Sequence, residues 1–277
     1  MKVLKQLFSF YINSSIHVAL SVLSLTCITL LEYGIPYDES LLFFVFFASI
    51  SGYNFVKYFG IAKFHHRSLA NWLKTIQIFS FLCFIFMCHY ALHLPMNTMV
   101  FIVGLGLVTF FYAIPFLPKH LFLDSKNNLR NVGGVKVYLI ALVWAGVTVF
   151  IPIINNGYAV NAGVVITGIQ RFVFIVVLML PFEIRDLMYD SLKLATIPQK
   201  IGVKQTKIIG VVLLVFFFFL EFFKFEVTTG NLLVAALISV VTSLFVMCSV
   251  KEQGKYYSSF WVEGLPILWL LLQLWFS

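Results

Sequence analysis

The chain has 277 residues, 61% of them hydrophobic and 11% charged, with a formal net charge of +8 and a mean hydropathy of +0.98. So little polar side chain excludes a soluble globule, whose surface it could not cover. Strand-type alternation of apolar and polar residues is absent, which excludes a transmembrane β-barrel.

The apolar runs set the elements. At a rise of about 1.5 Å per residue, a helix of roughly 20 residues crosses a hydrocarbon core about 30 Å thick. Nine such spans are predicted in chain order, at about 13–31, 41–59, 75–94, 97–116, 136–154, 164–182, 206–223, 231–249 and 259–276. The expected fold is therefore all-α: one transmembrane helical domain over residues 1–277, a polytopic membrane protein of nine helices. The stretch MKVLKQLFSFYINSSIHVALSVLSLTC pairs a basic start with an apolar run, as a signal sequence does, but no small-residue cleavage site follows it. It reads as a short interfacial helix leading into a retained first span.

Lysine and arginine orient the spans. Of the 19 basic residues, 17 fall at the N-terminus or in and beside the connections after spans two, four, six and eight, leaving Arg171 and Lys224 elsewhere. By the positive-inside rule the N-terminus and those loops are cytoplasmic and the C-terminus lies outside, in a bacterial-type inner membrane. Charge spread over several loops in this way is a topology signal, so membrane lipids are expected as partners and nucleic acid is not.

Isolated polar residues within the spans carry less. Cys27, Cys83, Cys88 and Cys248 are far apart in sequence or on unlike faces and read as small buried hydrophobes. His89 and His93, four apart on span three, lack a matching pair on another span to complete a bis-histidine haem site. Arg171 lies fifteen residues before Asp186, roughly 22 Å along the helix, too far to join an acidic site there. Glu221 and Glu226 are its expected partners.

The densest polar cluster is PFEIRDLMYD, residues 181–190. Asp186 and Asp190 are four apart and share a helix face, with Glu183 one turn back on nearly the same stripe. Three carboxylates so close repel one another unless a cation sits among them. A magnesium ion would meet that need, since it takes one or two carboxylates together with substrate phosphate oxygens. A solvated helix end, with Arg185 and Lys193 pairing the acids, is the other reading.

The following DLMYDSLKLATIPQKIGVKQT places Thr196, Pro198 and Gly202 behind the acids. With them the chain resembles the UbiA superfamily of intramembrane prenyltransferases, whose second aspartate-rich motif has two Asp four apart, then Gly, Thr-x-Pro and a further Gly. Leu194 stands at about the place of the family's middle Gly, and the stretch to Thr196 is one residue short. FYAIPFLPKH, LRNVGGVKVYLIALVWAGVTVFIP and WVEGLPILW are similar to further family segments. The first motif, Asn-x-x-x-Asp-x-x-x-Asp, is not intact. Asn54 fits its Asn, but Tyr58 and Ala62 stand for both aspartates, and no Asp or Glu occurs between Glu39 and Asp124.

The resemblance implies a nine-helix bundle that transfers an isoprenyl chain from its diphosphate to a lipophilic acceptor: an aromatic quinone precursor, a porphyrin derivative or a glycerol phosphate lipid. Asp186 and Asp190, with Glu183, are the expected magnesium ligands, and Asp186, Asp190 and Lys57 the expected catalytic residues. Lys and Arg bind phosphate directly where two Asp would need a metal between. Asn54, Lys57, Arg67, Arg130, Lys136, Lys193 and Lys200 are therefore the expected diphosphate ligands. A UbiA-like protein that binds a prenyl lipid without transferring it, and a membrane transporter, are the alternatives.

Overall fold

The computed structural model describes residues 2–62, 71–113, 134–188, 196–224 and 227–276. Among them every regular element is helical. With no water in a bilayer core to satisfy backbone N–H and C=O groups, an apolar run closes its hydrogen bonds on itself.

The helices are α1 (Lys2–Asn13), α2 (Ile16–Glu32), α3 (Glu39–Ala62), α4 (Asn71–Ala91), α5 (Met96–Ala113), α6 (Val135–Ala145), α7 (Ile151–Asn155), α8 (Ala162–Asp186), α9 (Ile197–Leu220), α10 (Thr229–Cys248) and α11 (Leu265–Phe276). A π-helical turn, Gly146–Phe150, joins α6 to α7 immediately ahead of Pro152, whose ring cannot continue the hydrogen-bond ladder. A second π-helical turn, Tyr257–Val262, leads into α11. Seven of the described helical stretches are long and apolar enough to cross a membrane, which makes the protein a polytopic membrane protein. An eighth span results if α1 and α2, bent 54° against each other, count as one. The predicted fourth span corresponds to a shorter apolar helix, Met96–Phe111, so seven or eight of the nine expected spans are found among the described residues.

Helix α8 is the centre of the bundle. It packs on α6 and α9, α2 packs between α3 and α11, and α10 lies against α9 and α11. Leu25, Ile28, Phe174, Val177, Phe217 and Trp269 meet in the core. The rims of α4 and α9 instead expose Phe81, Phe84, Phe86, Val212, Phe216 and Phe219, a surface suited to acyl chains. Gly210 lets α9 approach α8 and α10: a Cβ there would stand 2.9 Å from Leu180 Cδ1 and 3.0 Å from Val246 Cγ1. Gly210→Leu is therefore expected to lower stability by about 1–3 kcal/mol through overpacking, read as a lowered melting point of the detergent-solubilised protein.

Fifteen residues before Asp186 on α8, the guanidinium of Arg171 is fully buried. It donates to the carbonyl of Leu25 at 3.1 Å and to Thr29 Oγ1 at 3.4 Å and lies 4.7 Å from the centre of the Trp269 ring. Glu221 accepts from Gln170 Nε2 at 2.8 Å and pairs with Lys224 at 3.0 Å. Lys224 also reaches Glu32 at 3.3 Å. The expected direct pairing of Arg171 with Glu221 is thus replaced by backbone and aromatic contacts, with the charges of Glu32 and Glu221 acting on it from nearby. Glu226 lies outside the described residues.

Candidate active site

The break between α1 and α2 builds one wall of the site. Ser15 sits there in the left-handed region, φ 64°, and Ser14 and Ser15 are both buried. A break in a helix leaves backbone groups without partners, and one face of α3 satisfies them. Asn54 Nδ2 donates to Ser14 O at 2.9 Å and to Ser80 Oγ at 2.7 Å, Ser15 Oγ donates to Asn54 Oδ1 at 2.8 Å, and Tyr58 Oη donates to Asn13 O at 2.8 Å. Lys57, on the same side of α3, donates from Nζ to Ser15 Oγ at 2.9 Å. The α3 positions that resemble an acidic motif without its acids therefore dock the bent N-terminal pair and hold an ammonium group.

The end of α8 builds the facing wall. Its last turns carry Glu183, Arg185 and Asp186, and the first turn of α6, just after Gly134, carries Lys136. Lys136 Nζ lies 3.3 Å from Glu183 Oε1 and 3.7 Å from Asp186 Oδ2. Arg185 holds the other oxygen of Asp186, with Nη2 at 2.8 Å and Nε at 2.9 Å from Oδ1. Glu183 is 1% exposed and Asp186 22%, so Glu183 stands behind Asp186.

Both walls face one cavity of about 1010 Å³. Lys57, Lys136, Arg185 and Lys255 line it together with Asp186 and Glu263, and the charges of Lys57 and Arg185 act on Glu263. The rest of the lining is largely apolar, with Phe44, Val45, Tyr53, Trp144, Leu178 and Met179 along it. Trp144 Nε1 donates to Tyr53 Oη at 2.6 Å, and the two rings meet edge to face at 6.3 Å. A pocket with a basic head and an apolar body suits an amphiphile with an anionic head group.

Of the expected site residues, Lys57, Lys136 and Asp186 line the cavity. Asn54 is buried behind the wall and positions Ser15, while Glu183 is buried behind Asp186. Lys200 is exposed on the first turns of α9 and does not line the cavity. Arg67, Arg130, Asp190 and Lys193 lie outside the described residues. Sequence reasoning overlooked Arg185, Lys255 and Ser15 as site residues, and Glu263 carried only the Glu-Gly pair of WVEGLPILW as a signal. Thr196, Pro198 and Gly202 shape the start of α9. The Thr196 N–H donates to Gln199 Oε1 at 3.0 Å, Pro198 sits in the first turn, and Gly202 kinks the helix at φ 80°, which a side chain rarely adopts.

The described acids do not by themselves fit a magnesium ion. Among the described residues no three His, Cys, Asp or Glu side chains cluster as a metal site. Magnesium needs oxygens converging at about 2.0–2.1 Å, whereas the Lys136 ammonium already stands against both Glu183 and Asp186. His89 is exposed in the last turn of α4 and His93 in the turn that follows it, with His93 Nδ1 2.9 Å from the carbonyl of His89. The four cysteines are free thiols.

No family model and no curated protein matches the sequence. The fold matches the solved structure of a digeranylgeranylglyceryl phosphate synthase, a UbiA-superfamily prenyltransferase, with a TM-score of 0.56 at 15% identity over 98% of this chain and 97% of that one. The chain therefore shares the fold of that protein.

Proposed function

We propose that the protein is an intramembrane prenyltransferase, moving an isoprenyl chain from its diphosphate to a lipophilic acceptor at the cytoplasmic face of an inner membrane. The observation that carries this reading is that Lys57 of α3 and Asp186 of α8 line one cavity with a largely apolar body. The fold it shares with a prenyltransferase supports it.

In the reaction the bond between C1 of the isoprenyl chain and the diphosphate oxygen breaks, and its electron pair leaves with the diphosphate. Negative charge builds on the leaving oxygens, where fixed cations lower the barrier most. Among the described residues, Lys57, Lys136, Arg185 and Lys255 are the cations on the cavity wall. The allylic cation left at C1 is suited to the faces of Tyr53 and Trp144. An acceptor nucleophile then bonds to C1 and gives up its proton, for which Glu263 is a carboxylate base on the wall.

The second reading is a prenyl-lipid binder that performs no transfer. It is favoured by the face of α3 being spent on docking α1 and α2 through Asn54 and Tyr58. Protein in lipid nanodiscs, given farnesyl or geranylgeranyl diphosphate and a lipid extract as acceptor, separates the two. Saturable binding with acceptor-dependent pyrophosphate release is expected. Binding without release would favour the second reading, and absence of saturable binding would sink both.

A further inference from the structure

Resting on the isoprenyl diphosphate reading, we propose that this site binds the diphosphate without a divalent ion, the Lys136 ammonium supplying between Glu183 and Asp186 the charge that a metal would bring. Three observations lead there. Arg185 holds Oδ1 of Asp186 at 2.8 Å, and Oδ2 faces the Lys136 ammonium at 3.7 Å. Lys136 reaches the buried Glu183 from the same point, at 3.3 Å, so an ion entering between the two carboxylates would have to expel an ammonium already there. Across the cavity the sequence has no acid from residue 40 to residue 123, and the facing wall presents Lys57, which donates to Ser15 at the break between α1 and α2.

The electrostatics agree. A diphosphate head needs several positive charges close by, and they need to be fixed in place before it arrives. Lys57, Lys136, Arg185 and Lys255 provide four on the cavity wall, against Asp186 and Glu263. Lys136 and Arg185 are held by Glu183 and Asp186, so the acids here serve to orient cations. Leaving-group departure follows the same course: the C1–O electron pair goes to a diphosphate oxygen already facing ammonium and guanidinium groups.

The test is binding of farnesyl thiodiphosphate, an analogue that resists transfer, to the purified protein in nanodiscs with EDTA or with magnesium. Wild type is expected to bind equally in both. Lys136→Met removes the ammonium from between Glu183 and Asp186. It is expected to bind about tenfold more weakly in EDTA, to recover with magnesium, and to show a manganese resonance signal from a bound ion that wild type lacks. Lys136→Arg keeps the charge and is expected to remain metal-independent, which also guards against a Met variant that fails to fold. Wild-type binding abolished by EDTA and restored by magnesium would overturn the metal-free site while leaving the prenyl diphosphate reading intact. No binding of the analogue in either buffer would overturn both.

Discussion

Lys57→Met is expected to cut prenyl transfer by about a hundredfold or more, the scale on which removing one fixed charge-stabilising donor acts in other enzymes. The ammonium stands on the wall opposite Asp186, and its hydrogen bond to Ser15 fixes it before substrate arrives. The side chain leaves the core packing of α3 untouched, because Asn54 and Tyr58 hold the helix break by themselves. The loss is therefore expected in turnover, with a melting point close to wild type. Ser15→Ala leaves the charge in place but releases its anchor, and a smaller loss, about tenfold, follows from a less ordered cation. Pyrophosphate release in nanodiscs measures both. Wild-type turnover in Lys57→Met would remove Lys57 from the site. Equal losses in both variants, accompanied by a lowered melting point, would make the Ser15–Lys57 contact structural.

The bundle is largely legible in the sequence because the bilayer demands continuous apolar helices, and such runs are visible without any tertiary knowledge. Hydropathy tracks the part of a helix that lipid touches, though, and not the helix itself. Hence α9 starts at Ile197, well before the expected 206, since Lys200, Lys204 and Lys207 dilute the apolar signal in its first turns. The acidic end of α8 is legible too, because Glu183 and Asp186 stand out in an apolar chain. Their partners are not: Lys136 lies some fifty residues away, and nothing in its neighbours marks it as a bridge. Ser15 is harder still. It meets Asn54 and Lys57 across 39 and 42 residues because the chain bends 54° there, and two serines inside an apolar run give little warning of a bend. The Thr196, Pro198 and Gly202 pattern is recognisable as a motif, yet its role in starting and kinking α9 emerges only from the backbone angles.

Arg171→Leu is expected to destabilise the fold by about 3–5 kcal/mol, the cost of taking one partner from a buried charge group. That is a large share of the roughly 5–15 kcal/mol that holds a typical domain together. The guanidinium is enclosed by α2 and α11: it binds the Leu25 carbonyl and Thr29 and covers the Trp269 ring. Its charge, with that of Lys224, balances Glu32 and Glu221 in the same region. A leucine fills much of the space but leaves two carboxylates facing one ammonium where water is scarce. Glu221→Gln added to Arg171→Leu restores the balance, and the glutamine can still accept from Gln170 and Lys224, so the double variant is expected to recover a good part of the lost stability. Melting points of the detergent-solubilised variants read this directly. Binding of the thiodiphosphate analogue per folded molecule is expected to stay at the wild-type level, because Arg171 lies fifteen residues along α8 from Asp186 and does not line the cavity. If Arg171→Leu melts with wild type, this buried charge group has no structural role. If it melts normally but loses binding, the two ends of α8 are coupled, and Arg171 belongs to the function of the cavity.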